Sequence, residues 1–405
     1  MPLHVLTRSP LENHVRSDNR TAGGVPTRPA GTDRPKGQLA KGVCVTLRLV
    51  QVGTGNQGEA WCRQFLPPNV EDGTVEVVAA ADVDEDALEN ARDALDLPPE
   101  RCYTDAAVAM AEHDADAAAL VVPPYAREDM VELAAGHDLD VISEKPLAET
   151  LEGSYSIVRT VEEAGLKMGV TMSHRFRRDI TTLRRELRSG AYGEADYFYS
   201  RYSVNARSRG SWAGDRLYDW DEHPLLIDGS VHHLDLLADM AGDRVETVFC
   251  HSWNPDYSDF SGDPNAVVTI TMADGTSVVY EGMNTAATSL NGWGNERIRV
   301  NCEDATLVLD GGEIFEFPYE REAEGCVDHA RIEDGDPVDL EDQAKWSNTW
   351  LIEQFADWVA GGDPMETNAR ANLRSMGLVF AAIESAETGE VVDYQSFVAE
   401  AEENV

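Results

Sequence analysis

LRLVQVGTGNQG, Leu47–Gly58, decides how this chain is read. Leu47–Val52 is a short apolar-rich run with the character of a strand, and Gly53, Gly55 and Gly58 follow it as G-x-G-x-x-G. Apolar residues return at Ala60, Trp61 and Phe65 with a helical period. Gly53 permits a tight turn, Gly55 lets the backbone approach a pyrophosphate, and Gly58 lets the helix pack against the strand. Asn56 and Gln57 open the helix, whose unpaired N–H groups suit an anion. Such turns are common, so a second signal is needed. Val75–Ala81 (VEVVAAA) reads as the next strand and ends at Asp82, 24 residues past Gly58, where an acid bonds the adenosine ribose hydroxyls. A plain βαβ turn with a solvated Asp is the competing reading; the two signals together favour a dinucleotide. Asp84, Glu85 and Asp86 follow with no Arg among them, so a 2′-phosphate meets repulsion and NAD is favoured over NADP.

The chain has 405 residues, which suggests two domains. Its net charge is −41, with 74 acids and only five lysines. Such self-repulsion weakens a compact state in dilute salt. At about 1 M salt the Debye length is roughly 3 Å and most of the repulsion is screened. The surface is therefore expected to be adapted to a salty cytoplasm. Nucleic-acid binding is excluded for want of a basic patch. No apolar run nears a membrane span, and the N-terminus lacks the apolar core of a secretory signal. Cys44, Cys62, Cys102, Cys250, Cys302 and Cys326 show no C-x-x-C and no regular spacing, which argues against a zinc cage or a disulfide framework.

Residues 1–44 differ from the rest: seven Lys/Arg against three Asp/Glu make them net +4, which leaves −45 for the remainder. Disorder is expected there, and translation beginning near Val45 is a further expectation. From 45 to 172 strands alternate with helices. Strands are read at Cys102–Thr104, Ala117–Val122, Leu139–Ser143 and Lys167–Met172, and a helix over Leu147–Glu163. This predicts a doubly wound parallel sheet, with ligands outside the carboxyl ends of its strands. From 173 to 405 the pattern is a meander of strands between Tyr197 and Phe317, with Asp274–Gly275 as a hairpin signal, one helix at Val231–Met240 and a helical tail. A mostly antiparallel sheet is expected. The whole is α/β.

Lys145 stands out, because only Lys145, Lys167 and Lys345 follow residue 44. A point charge at the end of a buried strand can orient a hydroxyl or stabilise an alkoxide; a rim lysine paired with Glu144 is the bland alternative. The second constellation is Asp228-Gly-Ser-Val-His232-His233-Leu-Asp235. If it begins a helix, Asp228 lies at or near the cap, and Asp228, His232 and Asp235 share a face. A carboxylate there could orient the imidazole. Adjacent His232 and His233 point about 100° apart, which makes a shared metal awkward, and no metal is expected. A capped helix with one buried His is the plain reading.

GTGNQG, Asp82, EKP at 144–146 and D-x-x-x-H at 228–232, in that order, resemble the Gfo/Idh/MocA family of NAD(P)-dependent sugar and inositol dehydrogenases. The resemblance runs over roughly 47–400 and includes SHRF at 173–176 and AAIESAETGEVV at 381–392. It implies a Rossmann domain followed by an α/β domain with an open sheet often used for dimer or tetramer contacts. It also implies Lys145, Asp228 and His232 as the catalytic group. Hydride transfer between NAD and a secondary hydroxyl of a small polyol or sugar-like substrate is the expected reaction, in a cytoplasmic homo-oligomer. Pro123 and Glu144 are expected on the nicotinamide side, Arg175 at the cofactor, and Tyr125 and Trp220 beside the substrate. Two departures stand out: Val122–Pro123 replaces the usual T-P, and Arg127 stands where a His is common. The rival expectations are an NAD-dependent glycoside hydrolase of the same fold and a non-catalytic NAD sensor.

Overall fold

The computed structural model describes residues 46–210, 215–220, 222–242, 244–319 and 330–405. The expectations for residues 1–44, including Cys44, and for Cys326 lie outside them. The first sheet holds β1 (Leu47–Val52), β2 (Val75–Ala81), β3 (Cys102–Tyr103), β4 (Ala117–Leu120), β5 (Asp140–Ser143) and β6 (Met168–Val170). Their order is β3-β2-β1-β4-β5-β6, and every pair is parallel. The strands are apolar on both faces because both faces are covered. Leu47, Leu49, Ala117, Ala119 and Ile142 face one core, while Val50, Val52, Ala118, Leu120 and Val141 face the other. The order reverses direction between β1 and β4, which opens the crevice where such sheets take their ligands.

The second sheet holds β7 (Ala195–Ser203), β8 (Val245–Trp253), β9 (Asn265–Met272), β10 (Ser277–Met283), β11 (Arg297–Cys302), β12 (Ala305–Asp310), β13 (Glu313–Pro318), β14 (Asp336–Val338) and β15 (Val392–Asp393). Its order is β14-β13-β12-β11-β7-β10-β9-β8-β15. All pairs are antiparallel except β7 with β10. One face is buried under the helices Val231–Ala241 and Ala369–Thr388, whose apolar residues join the core with Val248, Ile270, Val278 and Val300.

Two local readings are corrected. The helix after the glycine loop is broken: Gln57–Ala60 gives way to a wide turn over Trp61–Phe65, where Leu66 N bonds Trp61 O, before a new start at Pro67. Pro67 and Pro68 have no N–H to continue the ladder. The helix read from Leu147 starts at Leu151, because Thr150 caps it by accepting from Gly153 N. Helices Arg178–Arg188 and Tyr394–Glu403 and the short strands β14 and β15 add to the pattern read from sequence.

Helix Ser347–Val359 returns to the first sheet. Leu351, Ile352, Phe355 and Ala356 pack with Leu49, Trp61, Leu66 and Val77. Both remaining lysines pin it. Lys345 Nζ donates to Asn69 (2.7 Å) and Asp72 (2.5 Å), and Lys167 Nζ donates to Trp358 O at 2.5 Å, on carbonyls the helix end leaves open. Phe355 is fully buried in this contact. Phe355→Ala is expected to lower stability by about 3–5 kcal/mol, measured by urea unfolding in molar salt.

Candidate active site

The site gathers at the carboxyl ends of β1, β2, β4 and β5. Gly53 turns with φ +85°, and a Cβ there would lie 2.2 Å from Val121 O, so only glycine lets the loop cross β4. A Cβ on Gly58 would lie 2.3 Å from Gly53 O. Gly55 is exposed, as are Asn56 (φ 40°) and Gln57, and they form the accessible lip of the turn. Asp82 closes the loop from β2: one carboxylate oxygen accepts from Thr54 N (2.5 Å), Thr54 Oγ1 (3.1 Å) and Gly55 N (3.2 Å), the other from Asp84 N (2.9 Å). This bare backbone beside an acid fits the dinucleotide cradle the motif describes.

Pro123 lies exposed at the end of β4. Glu144 is buried and ties β5 to the glycine-loop helix, accepting from Trp61 Nε1 at 2.7 Å and Gln57 Nε2 at 3.1 Å. Arg127 is a brace that sequence reasoning missed. Buried, it donates to Val122 O at 2.6 Å and to Pro146 O, joining the β4 and β5 ends across the cis Lys145–Pro146 peptide. Burial pushes its guanidinium down to about 10, against the pull of Glu144. Lys145 Nζ then reaches Asp228, bonding its backbone O at 2.8 Å and its Oδ1 at 3.3 Å. Tyr125 and Trp220 are bridged by Arg216, whose guanidinium lies 5.7 and 5.3 Å from their ring centres.

Asp228 does not cap the helix. Helical winding begins at Pro224 and passes through a wide turn, Leu225–Ser230, into Val231–Ala241, so Asp228 sits inside it. Asp235 is no partner for His232 either. It takes a two-pronged ion pair from Arg175 (2.5 and 2.6 Å) and a bond from Ser375. Arg175 gives its third nitrogen to Asp239 at 2.8 Å and is buried. The structure thus places Arg175 in an internal ion pair rather than in the cofactor cleft.

His232 lies in an imidazole cluster. His174 stacks on it at 4.4 Å between ring centres. Glu296 Oε1 meets Nε2 of both His174 and His233 at 3.2 Å, and its other oxygen pairs with Arg177. A carboxylate only accepts, so the nitrogens facing it carry the protons. His233 Nδ1 in turn meets Tyr280 OH at 3.2 Å, which accepts from Ser230 Oγ at 3.0 Å. His174, His233 and Glu296 are of metal-ligating type and lie within 4.8 Å. Arg177 on the same carboxylate, with an N–H from each ring, makes them a hydrogen-bonded network instead. Burial opposes charge on Glu296, but the two imidazole bonds hold it well below the usual carboxylate range. Burial, then His174 and Lys145, hold His232 well below an ordinary imidazole. Trp293, half-exposed, sets its ring edge on His174 (4.3 Å) and His232 (5.3 Å). Neither Trp293 nor Glu296 carries a motif; His174 was visible only as a letter of SHRF.

The sequence and the fold match known proteins. Residues 47–172 match the model of the Gfo/Idh/MocA oxidoreductase family's NAD-binding Rossmann fold, and 180–308 match a C-terminal domain of the same family. The chain belongs to the Gfo/Idh/MocA oxidoreductase family. It is 42% identical to the uncharacterized protein y4oX of Sinorhizobium fredii, over 87% of this chain and 97% of that protein. It is 26% identical to a D-apiose dehydrogenase of Rhizobium rhizogenes, over 73% of this chain and 84% of that one. The fold superposes on an Agrobacterium radiobacter oxidoreductase in complex with NAD+, L-tartaric acid and magnesium. That match has a TM-score of 0.74 and 22% identity, over 87% of this chain and 99% of that one. Among the described residues no helix is long and apolar enough to cross a membrane.

The buried imidazoles make stability depend on pH. Burial pushes His174 down to about 4, against the hydrogen bond that its ring N–H donates to Glu296. Between about 6.5 and 4 the unfolded chain therefore binds a proton that the folded one refuses. Stability from this group is full above about pH 6.5 and falls as pH drops toward 4. Urea midpoints should decline from pH 6.5 to 5, and His174→Gln should flatten that slope.

Proposed function

We propose reversible hydride transfer between NAD and a secondary hydroxyl of a sugar, polyol or related small molecule. The observation that carries it is Lys145. Its ammonium is held against Asp228 at the carboxyl end of β5, beside an imidazole kept neutral by burial. A bound NAD would supply the hydride acceptor for the hydroxyl-bearing carbon. Lys145 Nζ donates to the hydroxyl oxygen and stabilises its alkoxide character. His232 Nδ1 is buried, which leaves Nε2 to receive the hydroxyl proton. Asp228, half-exposed beside Lys145, bonds a neighbouring hydroxyl. Relatives named D-apiose dehydrogenase and inositol 2-dehydrogenase support this substrate class.

The glycine turn, with Gly53, Gly55, Asn56, Gln57 and Gly58, is assigned to the pyrophosphate, Asp82 to the ribose, and Pro123 and Glu144 to the nicotinamide end. The acids after Asp82 favour NAD over NADP. Trp293, against His232, and Tyr125 and Trp220, joined through Arg216, are assigned to the apolar face of a substrate ring. The domains divide at 172/173, with helix Ser347–Val359 serving the first.

We further propose a homo-oligomer that uses the outward face of the second sheet. Tyr197, Tyr199, Phe249, Val279 and Phe315 lie there, in alternation with buried neighbours. The charge of −41 supports a cytoplasm rich in salt.

Lys145→Met and His232→Ala are each expected to lower kcat by about 10²–10⁴-fold while NAD affinity by calorimetry stays the same. Near-normal turnover in either rejects that residue's role. The thermal midpoint is expected to climb steeply as KCl rises from about 0.1 to 2 M; a flat response rejects the salt reading.

A further inference from the structure

The helix that carries His232 does not supply the carboxylate that governs it. Asp228 is engaged by Lys145, and Asp235 by Arg175 and Ser375. His232 Nδ1 has no hydrogen-bond partner among the described residues, and neither has His174 Nδ1.

The groups around the imidazole come from six places. Lys145 comes from the loop after β5, and His174 and Arg177 from the segment after β6. Asp228 and His233 lie on its own helix, with Tyr202 of β7 and Tyr280 of β10 behind His233. Trp293 and Glu296 come from the loop before β11. Burial keeps both tyrosines protonated. Lys145 opposes a positive charge on His232, and Glu296 favours it. Asp228 is 43% exposed and Glu296 1%, so the field of Glu296 is the less screened.

We propose that Glu296 is a positioning residue for His232: it locks His174 and His233 with their protons on Nε2, and its enclosed charge makes an imidazolium on His232 tolerable during turnover. This rests on His232 being the base. The lock has a direction. With Nε2 of His174 turned to Glu296, its Nδ1 is a bare acceptor. A His232 that accepts a proton at Nε2 carries its own on Nδ1. The two orphan nitrogens of the stacked rings are therefore a donor and an acceptor, and do not repel. Without the charge on Glu296 either tautomer of His174 becomes available, and nothing enclosed offsets Lys145.

The test reads ¹⁵N shifts of the histidine rings in the full chain in molar KCl, with His232→Ala assigning that resonance. The wild type should show His174 and His233 as Nε2–H tautomers. Glu296→Gln should release His174 from that tautomer and move the His232 titration to lower pH by about one unit or more. Glu296→Asp should restore both. A wild-type His174 protonated on Nδ1 overturns the proposal, and needs no variant to fold. So does a His232 titration unmoved, or moved upward, in folded Glu296→Gln. None of these readouts needs a substrate. An active His232→Ala would reject the base role and leave the lock standing; an inactive one beside an unmoved titration rejects the lock alone.

Discussion

Val121 O lies where a side chain on Gly53 would begin, and much of the site depends on that closeness. The β1 turn can cross β4 only as bare backbone. The next carbonyl, Val122 O, is held by Arg127, which also holds Pro146 O. Pro146 follows Lys145, and Lys145 reaches Asp228 on the helix of His232. A run of backbone and charge contacts thus leads from the glycine turn to Lys145, Asp228 and the helix of His232. Glu144 adds a parallel tie through Trp61 and Gln57. The cleft is set by rigid strand ends rather than by the longer loops around it.

The parallel sheet was legible because its strands are apolar runs punctuated by turn signals, and because G-x-G-x-x-G needs a strand before it. Lys145 was legible through scarcity. The rest was hidden for physical reasons. Asp235 sits at helical spacing from His232, but a nearer partner, Arg175, claims it across the fold. Glu296 lies 64 positions beyond His232 in a loop without periodicity, and only the sheet brings it under the histidines. β14 and β15 span three and two residues, too short for alternation to show. The wide turn at Leu225–Ser230 leaves no trace in hydrophobic spacing.

The acidic surface contrasts with an interior that relies on arginine. Arg175, Arg177 and Arg184 are each largely buried and each meet at least two carboxylates. A guanidinium keeps its charge when buried and offers several fixed donors, which a lysine cannot match. Removing one partner of such a pair leaves an uncompensated charge inside. The lysines among the described residues occupy places where a single compact charge suffices: Lys167 at a helix end, Lys345 between two carboxylates and Lys145 against Asp228.

Helix Ser347–Val359 covers Leu49, Trp61 and Leu66, and this matters for a chain made from one end. A ribosome that has released the six parallel strands has not yet released the helix that seals one of their faces. Until some 180 further residues emerge (from Val170 to Ser347), that apolar face is open to water. The last layer of the first sheet therefore arrives only after β7 to β14 of the second sheet have been made, and before β15.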